Sequence, residues 1–191
     1  MNKLKNAINL LLIVLSLISI SASVHPFLLT LCYLVHESGH IIATKLCNGK
    51  IRKISVGVYK LAIGYDSYDL SYKQELLVSI SGVIFNLIFA FAVFLLGNKE
   101  SEVYKFLINC NLSLAIINLY PVSVLDGGRI LKLSLLSLFL EEKAEKISKT
   151  VSFVCAILLW FVCIYIQLAI NANISMLFIS VYLLIQLCFS I

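Results

Sequence analysis

Two histidines and a glutamate lie within five residues, at His36, Glu37 and His40, inside an otherwise apolar stretch. Residues 27–35 before them and 41–44 after them contain no charged side chain. An ionisable group at the centre of a membrane-spanning helix costs about 2.5–3.5 kcal/mol on insertion scales. Three such groups in one helix therefore require a strong compensating interaction. The order His-Glu-x-x-His indicates that a metal ion provides it.

The spacing of the motif suits a zinc ion. On a helix, His36 and His40 project from the same face about one turn apart. Two imidazoles in that relation can bind one zinc ion at about 2.0–2.1 Å each. Glu37 points in a neighbouring direction, which suits a general base acting on water at the metal. The alternative is two structural histidines beside a satisfied glutamate, and the apolar context disfavours it.

A third ligand is expected, because a catalytic zinc ion usually has three protein ligands. Asp126 is the best candidate. It follows Pro121, which ends or kinks the preceding helix, and it precedes Gly127 and Gly128, which permit a tight turn. Taken alone, an aspartate before glycine is equally typical of a turn. Beside the histidine motif, the ligand interpretation is favoured.

The composition is that of a membrane protein. Of the 191 residues, 61% are hydrophobic, whereas soluble domains are about 45–50% apolar. A spanning helix needs about 20 apolar residues. Six segments qualify, at about 8–24, 26–47, 76–97, 103–120, 151–170 and 174–191. We therefore expect an all-α polytopic membrane protein with about six transmembrane helices, forming a single domain over residues 1–191.

The basic residues predict the orientation of these spans. Of the 15 Lys and Arg residues, all but Lys99 and Lys105 fall on one side of the six predicted spans. Cytoplasmic connections carry the excess of basic residues, so both termini are predicted to be cytoplasmic, with the site nearer that side. A cleaved signal peptide over residues 1–23 is an alternative that leaves the second span running the same way.

One connection shows the pattern of strands rather than of a helix. Apolar residues alternate with polar or small residues over 51–66, which predicts a small hairpin on the cytoplasmic side. An extended substrate segment could pair with such a hairpin, although packing against the membrane face explains it equally well.

Two classes of site find no support in the sequence. No basic face is interleaved with aromatic residues, which argues against a nucleic-acid partner. The six cysteines form no C-x-x-C pair, so neither a zinc knuckle nor a disulfide framework is indicated. Buried apolar positions are the simpler interpretation of the cysteines.

The motifs together resemble the site-2 protease family of intramembrane zinc metalloproteases, over about residues 26–131. The resemblance rests on His36-Glu37-x-x-His40 and on Asn118-x-x-Pro121-x-x-x-Leu125-Asp126-Gly127-Gly128. The second motif is especially similar to the stage IV sporulation protein FB type. A weaker third element is Gly82-x-x-x-Asn86. No stretch is long enough for the PDZ or CBS domain that some members carry.

The resemblance implies a three-helix catalytic core, one zinc ion and cleavage of a membrane-associated protein. Such cleavage is typical of regulated proteolysis, for example the release of a transcription or sigma factor, or a step in sporulation. A regulatory membrane partner or a homo-oligomer would fit this role. It implies that His36, His40 and Asp126 are zinc ligands and that Glu37 is the catalytic acid and base. Substrate positioning is implied for four further residues: Asn86, Asn118, Pro121 and Gly127.

The sequence departs from the family pattern at three positions. Val83 and Val124 stand where many members carry proline, and Ser38 replaces a bulky residue. None of these changes removes a ligand, so they do not exclude activity.

Two other functions remain open. A zinc transporter or metal sensor should show several intramembrane carboxylates or histidines along a path. The other predicted spans offer only amides such as Asn86, Asn111 and Gln167. An inactive adaptor with the protease fold is the other alternative, and the intact ligands and Glu37 argue against it.

Overall fold

The computed structural model describes residues 26–49, 51–57, 60–65, 70–170, 180–181 and 184–185. Within them, five helices and two strands follow one another along the chain. They are α1 Pro26–Leu46, β1 Ile51–Gly57, β2 Lys60–Tyr65, α2 Tyr72–Leu96, α3 Glu102–Leu119, α4 Asp126–Leu136 and α5 Glu141–Ile170. The predicted span 8–24 and most of the span 174–191 lie outside the described residues.

Three of the described helices, α1, α2 and α5, are long and apolar enough to cross a membrane. Helix α3 coincides with the predicted span 103–120 but is not among them. Its first turns contain Glu102 and Lys105, and three asparagines further lower its hydropathy. The described part of the chain is thus a helical membrane protein, and a count of six spans is not confirmed.

The charged segment 141–149 and the predicted span 151–170 form one continuous helix, α5, of 30 residues. Glu145 and Lys149, one turn apart near its start, form an ion pair with a Nζ–O distance of 3.2 Å. Such exposed i, i+4 pairs stabilise a helix by about 0.3–0.5 kcal/mol. The spanning part of α5 therefore begins inside an already formed helix.

The connection between α1 and α2 contains a two-stranded antiparallel ribbon. Ile54 lies opposite Ile63 in it, and Val56 lies opposite Leu61. The ribbon occupies the segment in which the sequence alternates, and β2 contacts α1. The ribbon therefore stays beside the helix that carries the histidine motif.

Helices α1 and α2 approach each other closely at Gly39. A Cβ atom at this position would lie 2.6 Å from the carbonyl oxygen of Ser81 and 3.0 Å from the ring of Phe85. A residue without a side chain at a helix crossing allows the two backbones to come together. Since His36 and His40 lie on either side of Gly39, this crossing sets their position against α2.

Hydrogen bonds hold the last residues of α1 beside the first residues of α2. Ser71 Oγ accepts a hydrogen bond from the Gln74 backbone N–H, and Gln74 Oε1 accepts one from the Ser71 N–H, which forms a capping box. Gln74 Nε2 also donates to the carbonyl oxygen of Cys47 at 3.4 Å. The start of α2 is thereby fixed beside the end of α1.

The segment between α3 and α4 packs against α5. Val122 is fully buried and packs with Ala156, and Tyr120 Oη donates to the carbonyl oxygen of Cys155 at 3.0 Å. Anchoring this segment at two points restricts where the next helix, α4, can begin. That helix begins at Asp126.

Candidate metal centre

Three potential ligands converge where α1, α2 and α4 meet. Asp126 Oδ2 lies 3.0 Å from His36 Nε2 and 3.1 Å from His40 Nε2, and the two Nε2 atoms are 3.2 Å apart. Asp126 is 90 residues from His36 along the chain. The fold therefore assembles one compact group of donor atoms from the two sequence motifs.

The cluster is enclosed but open on the side of the aspartate. His36 is 3% exposed and His40 is 9% exposed, whereas the side chain of Asp126 is 20% exposed. Along α2, the histidines contact residues 78 to 86, which lie about 9–21 Å from the first residue of that helix at 1.5 Å per residue. The site thus lies within the apolar layer, in the half of α2 nearer Tyr72.

The hydrogen bonds of His40 show that the cluster needs a cation. His40 Nδ1 lies 2.7 Å from the carbonyl oxygen of Val78. A carbonyl oxygen only accepts, so Nδ1 carries a proton, and in a neutral imidazole Nε2 then presents a lone pair. That lone pair points at a carboxylate oxygen of Asp126, which is also an acceptor. A proton or a metal ion between them removes the repulsion.

The donor set fits zinc. Two imidazole nitrogens and one carboxylate oxygen are ligands that zinc takes in catalytic sites with three protein ligands. In tetrahedral coordination at about 2.0–2.1 Å, ligand atoms are about 3.3–3.4 Å apart. The observed separations of 3.0–3.2 Å need only a small outward movement of each side chain.

Gly82 provides the space in which the imidazoles sit. A Cβ atom there would lie 2.6 Å from His40 Nε2 and 2.7 Å from His36 Cε1. The family element Gly82-x-x-x-Asn86 therefore lies directly against the histidine motif, with one residue facing both rings. The sequence indicated this element only through its resemblance to the family. The contact of Gly82 with the two imidazole rings depends on the register of α1 against α2, which the sequence does not reveal.

The other predicted residues occupy different positions. Glu37 is half-buried beside the cluster, near enough to His40 for their charges to interact. Asn86 is fully buried, with Nδ2 3.2 Å from His36 Nδ1. Asn118 donates to the carbonyl oxygen of Leu114 within its own helix at 3.0 Å.

Pro121 and Gly127 shape the approach of Asp126. Pro121 is half-buried in the segment that packs on α5. Gly127 is buried, and a Cβ atom there would collide with the carbonyl oxygen of Leu119. The structure thus places Gly127 where it lets the start of α4 return against the end of α3.

A cleft lined by charged and apolar side chains lies at the start of α2. It has a volume of about 610 Å³, and its lining includes Tyr72, Glu75, Arg129 and Lys132. Glu75 and Arg129 form an ion pair across it at 3.7 Å, and burial lowers the pKa of the Arg129 guanidinium below its ordinary value. Arg129 is three residues after Asp126 in α4, whereas none of the three donor residues lines this cleft.

Two comparisons of the sequence with known proteins find matches to this chain. The model of Peptidase family M50 matches residues 98–161, which include Asp126 but not the histidine motif. Stage IV sporulation protein FB of Bacillus subtilis (strain 168) is 26% identical over 160 residues, which cover 81% of this chain and 56% of the relative. The chain therefore spans just over half the length of this curated relative.

A solved structure has the same fold. The site-2 protease from Methanocaldococcus jannaschii superimposes with a TM-score of 0.68 at 24% identity, over 96% of this chain and 87% of the other. The family model, the curated relative and the solved structure all point to the same family as the sequence motifs. The predicted resemblance of this chain to the site-2 protease family, Peptidase family M50, is therefore confirmed.

Proposed function

We propose that this chain is an intramembrane zinc metalloprotease, which hydrolyses a peptide bond of a membrane-embedded or membrane-associated protein. The convergence of His36, His40 and Asp126 at 3.0–3.2 Å inside an apolar layer carries this proposal. These three residues would hold the zinc ion. When bound there, zinc would polarise the scissile carbonyl and lower the pKa of a water molecule toward about 7.

Glu37 supplies the proton transfers. Its carboxylate accepts a proton from the water as the water oxygen bonds to the scissile carbonyl carbon. When the carbon–nitrogen bond breaks, Glu37 delivers that proton to the leaving amine nitrogen. Because Glu37 adjoins His36 in α1, the base stays next to the ligands.

Water and substrate would enter from the cytoplasmic side. A helical substrate hides its peptide bonds in hydrogen bonds, so it must unwind locally before cleavage. In this proposal the cleft at the start of α2 receives the unwound segment, and a strand of the β1–β2 ribbon pairs with it. Asn118, Pro121 and Gly127 would then position it near Asp126.

The full arrangement we propose has about six spans in a single domain over residues 1–191, with both termini in the cytoplasm. Its support is the sorting of the basic residues. In the structure, the end of α1 and the start of α2, which carry Lys45 and Lys73, lie together, as this orientation requires. The metal centre then lies in the cytoplasmic half of the membrane.

The proposed role is regulated proteolysis. Sporulation appears in the name of the Bacillus subtilis relative, and a comparable role here would have a membrane-tethered regulatory protein, such as a transcription or sigma factor, as substrate. A regulatory membrane partner or a homo-oligomer belongs to the same proposal.

A single metal cluster favours catalysis over transport. Among the described residues, His36, His40 and Asp126 form the one group of three potential ligands. A transport path would need further charged or imidazole groups at intervals across the membrane. The protease is therefore the better proposal.

Removing the metal is expected to abolish cleavage. Protein in liposomes would be assayed with a panel of fluorogenic single-span peptides that carry helix-weakening residues near the cytoplasmic end. Treatment with 1,10-phenanthroline should reduce cleavage to the level without protein, and one equivalent of zinc should restore it. Cleavage that continues unchanged after chelation would contradict the proposal. The proposal would also be contradicted if zinc entered the liposomes while every peptide stayed intact.

A further inference from the structure

The amide of Asn86 touches His36 on the side of the ring away from the metal centre. Asn86 is fully buried, and its Nδ2 lies 3.2 Å from His36 Nδ1. Its Oδ1 is also buried and has no hydrogen-bond partner among the residues that the structure describes. Since no part of Asn86 is accessible, it acts on His36 rather than on a substrate.

The two orientations of this amide select different forms of His36. If Nδ2 donates to Nδ1, a neutral imidazole carries its proton on Nε2, which then donates to Asp126 Oδ2 at 3.0 Å. Nε2 then has no lone pair for a metal ion. If the amide is rotated by 180°, Oδ1 accepts a proton from Nδ1–H, and the Nε2 lone pair faces the metal centre.

His40 already shows the second arrangement. The carbonyl oxygen of Val78 holds the His40 Nδ1 proton at 2.7 Å, so its Nε2 is free to bind. Imidazoles that bind metals usually donate their other N–H to a carbonyl or carboxylate oxygen. Val78 does this for one ring through the α2 backbone, and Asn86 is the residue of α2 placed to do it for the other.

We infer that Asn86 is a positioning residue, whose side-chain carbonyl holds His36 in the form that binds zinc. The inference rests on the proposed metal centre. With zinc bound, His36 Nδ1 carries a proton, and an N–H donor of Asn86 cannot face it. The amide therefore presents Oδ1 to the ring, and the buried oxygen gains its partner.

Three variants separate this role from packing. Asn86→Asp keeps an oxygen acceptor and removes the donor, so its zinc affinity should remain within a few-fold of wild type. Asn86→Leu removes the acceptor and should lower the affinity by about 10- to 100-fold. Asn111→Leu is the matched control, because Asn111 is also fully buried and its Oδ1 has no hydrogen-bond partner in the described part of the chain. Its Nδ2 donates to Cys32 Sγ and to the carbonyl oxygen of Leu107 rather than to a histidine. Its affinity should stay at the wild-type value.

Zinc affinity would be measured on purified protein by competition with a chromogenic chelator, and the visible spectrum of the cobalt-substituted protein would report ligand geometry. Affinity retained by Asn86→Asp and lost by Asn86→Leu supports the inference. A tenfold or greater loss in Asn86→Asp overturns it, because that result would mean the amide acts as a donor. Wild-type affinity in Asn86→Leu overturns it as well.

If Asn86→Leu does not fold, Asn86→Ala takes its place as the variant without the acceptor, and the same loss of zinc affinity is expected for it. The wild-type protein separates the two levels of the argument. If wild type binds one zinc ion but an Asn86 variant gives one of the overturning results, only the positioning role is wrong. If wild type binds none, the proposed metal centre is wrong and this inference falls with it.

Discussion

Replacing Glu37 by Gln is expected to lower the rate of peptide cleavage by about 100- to 10,000-fold, the usual contribution of a general acid–base group. The amide has nearly the same shape but cannot accept the proton of the attacking water. Glu37 is not among the three converging ligands, so the zinc content should remain one ion per chain. Cleavage rate and zinc content would be measured on the same preparation.

Ser38→Ala is the control for this variant. Ser38 adjoins Glu37, and its Oγ donates to the carbonyl oxygen of Val35 within the same helix. Its loss should leave both the rate and the zinc content close to wild type. A Glu37→Gln protein that keeps its zinc and cleaves at the wild-type rate would exclude Glu37 as the base.

Replacing Gly82 by Ala is expected to abolish high-affinity zinc binding although every ligand remains. The new Cβ atom would lie 2.6 Å from His40 Nε2 and 2.7 Å from His36 Cε1, so both rings must move or α1 must separate from α2. Overpacking a well-packed interface typically costs about 1–3 kcal/mol. Here the cost falls on the ligand atoms, and we expect the zinc affinity to drop by about 100-fold, with the cleavage rate reduced in parallel.

The measurement is zinc affinity by chelator competition, together with the thermal midpoint of unfolding. Leu87→Ala is the control, because Leu87 lies on the exposed face of the same helix at 45% exposure. It should keep wild-type affinity. If Gly82→Ala binds zinc as tightly as wild type, then the two imidazoles do not meet α2 where the structure places them.

The histidine motif could be predicted from the sequence because its geometry is local. Four positions on a helix place His36 and His40 on one face whatever surrounds them. Asp126 is 90 residues away from His36, and its candidacy depended on the expected depth of its helix and on the resemblance to the family. The structure adds the anchoring of residues 120–125 against α5, which brings Asp126 to the histidines.

The groups that orient the ligands could not be predicted in this way. The carbonyl oxygen of Val78 belongs to the backbone, so no side-chain pattern reveals it. The contact of Asn86 with His36 depends on the register of α2 against α1, and that register is set by the close approach at Gly39. The resemblance to the family indicated Asn86, but the sequence did not show that its side chain contacts His36.

Hydropathy alone does not decide whether α3 spans the membrane. Helix α3 begins and ends near the predicted bounds, but its three asparagines and its charged first turns lower its hydropathy. Asn111 is fully buried, and its Nδ2 donates a hydrogen bond to Cys32 Sγ in α1. At least one of the three asparagines therefore faces the protein interior. A sliding hydropathy average cannot separate an asparagine that faces a neighbouring helix from one that faces lipid.

X-ray absorption at the zinc edge of the purified protein tests most directly whether His36, His40 and Asp126 form the metal centre. We expect one zinc ion per chain, with nitrogen and oxygen neighbours at about 2.0–2.1 Å, the multiple scattering of two imidazoles, and no sulfur. Cys32, one turn before His36, is the nearest alternative ligand in α1. Sulfur at about 2.3 Å, or protein that binds no zinc, would contradict the account.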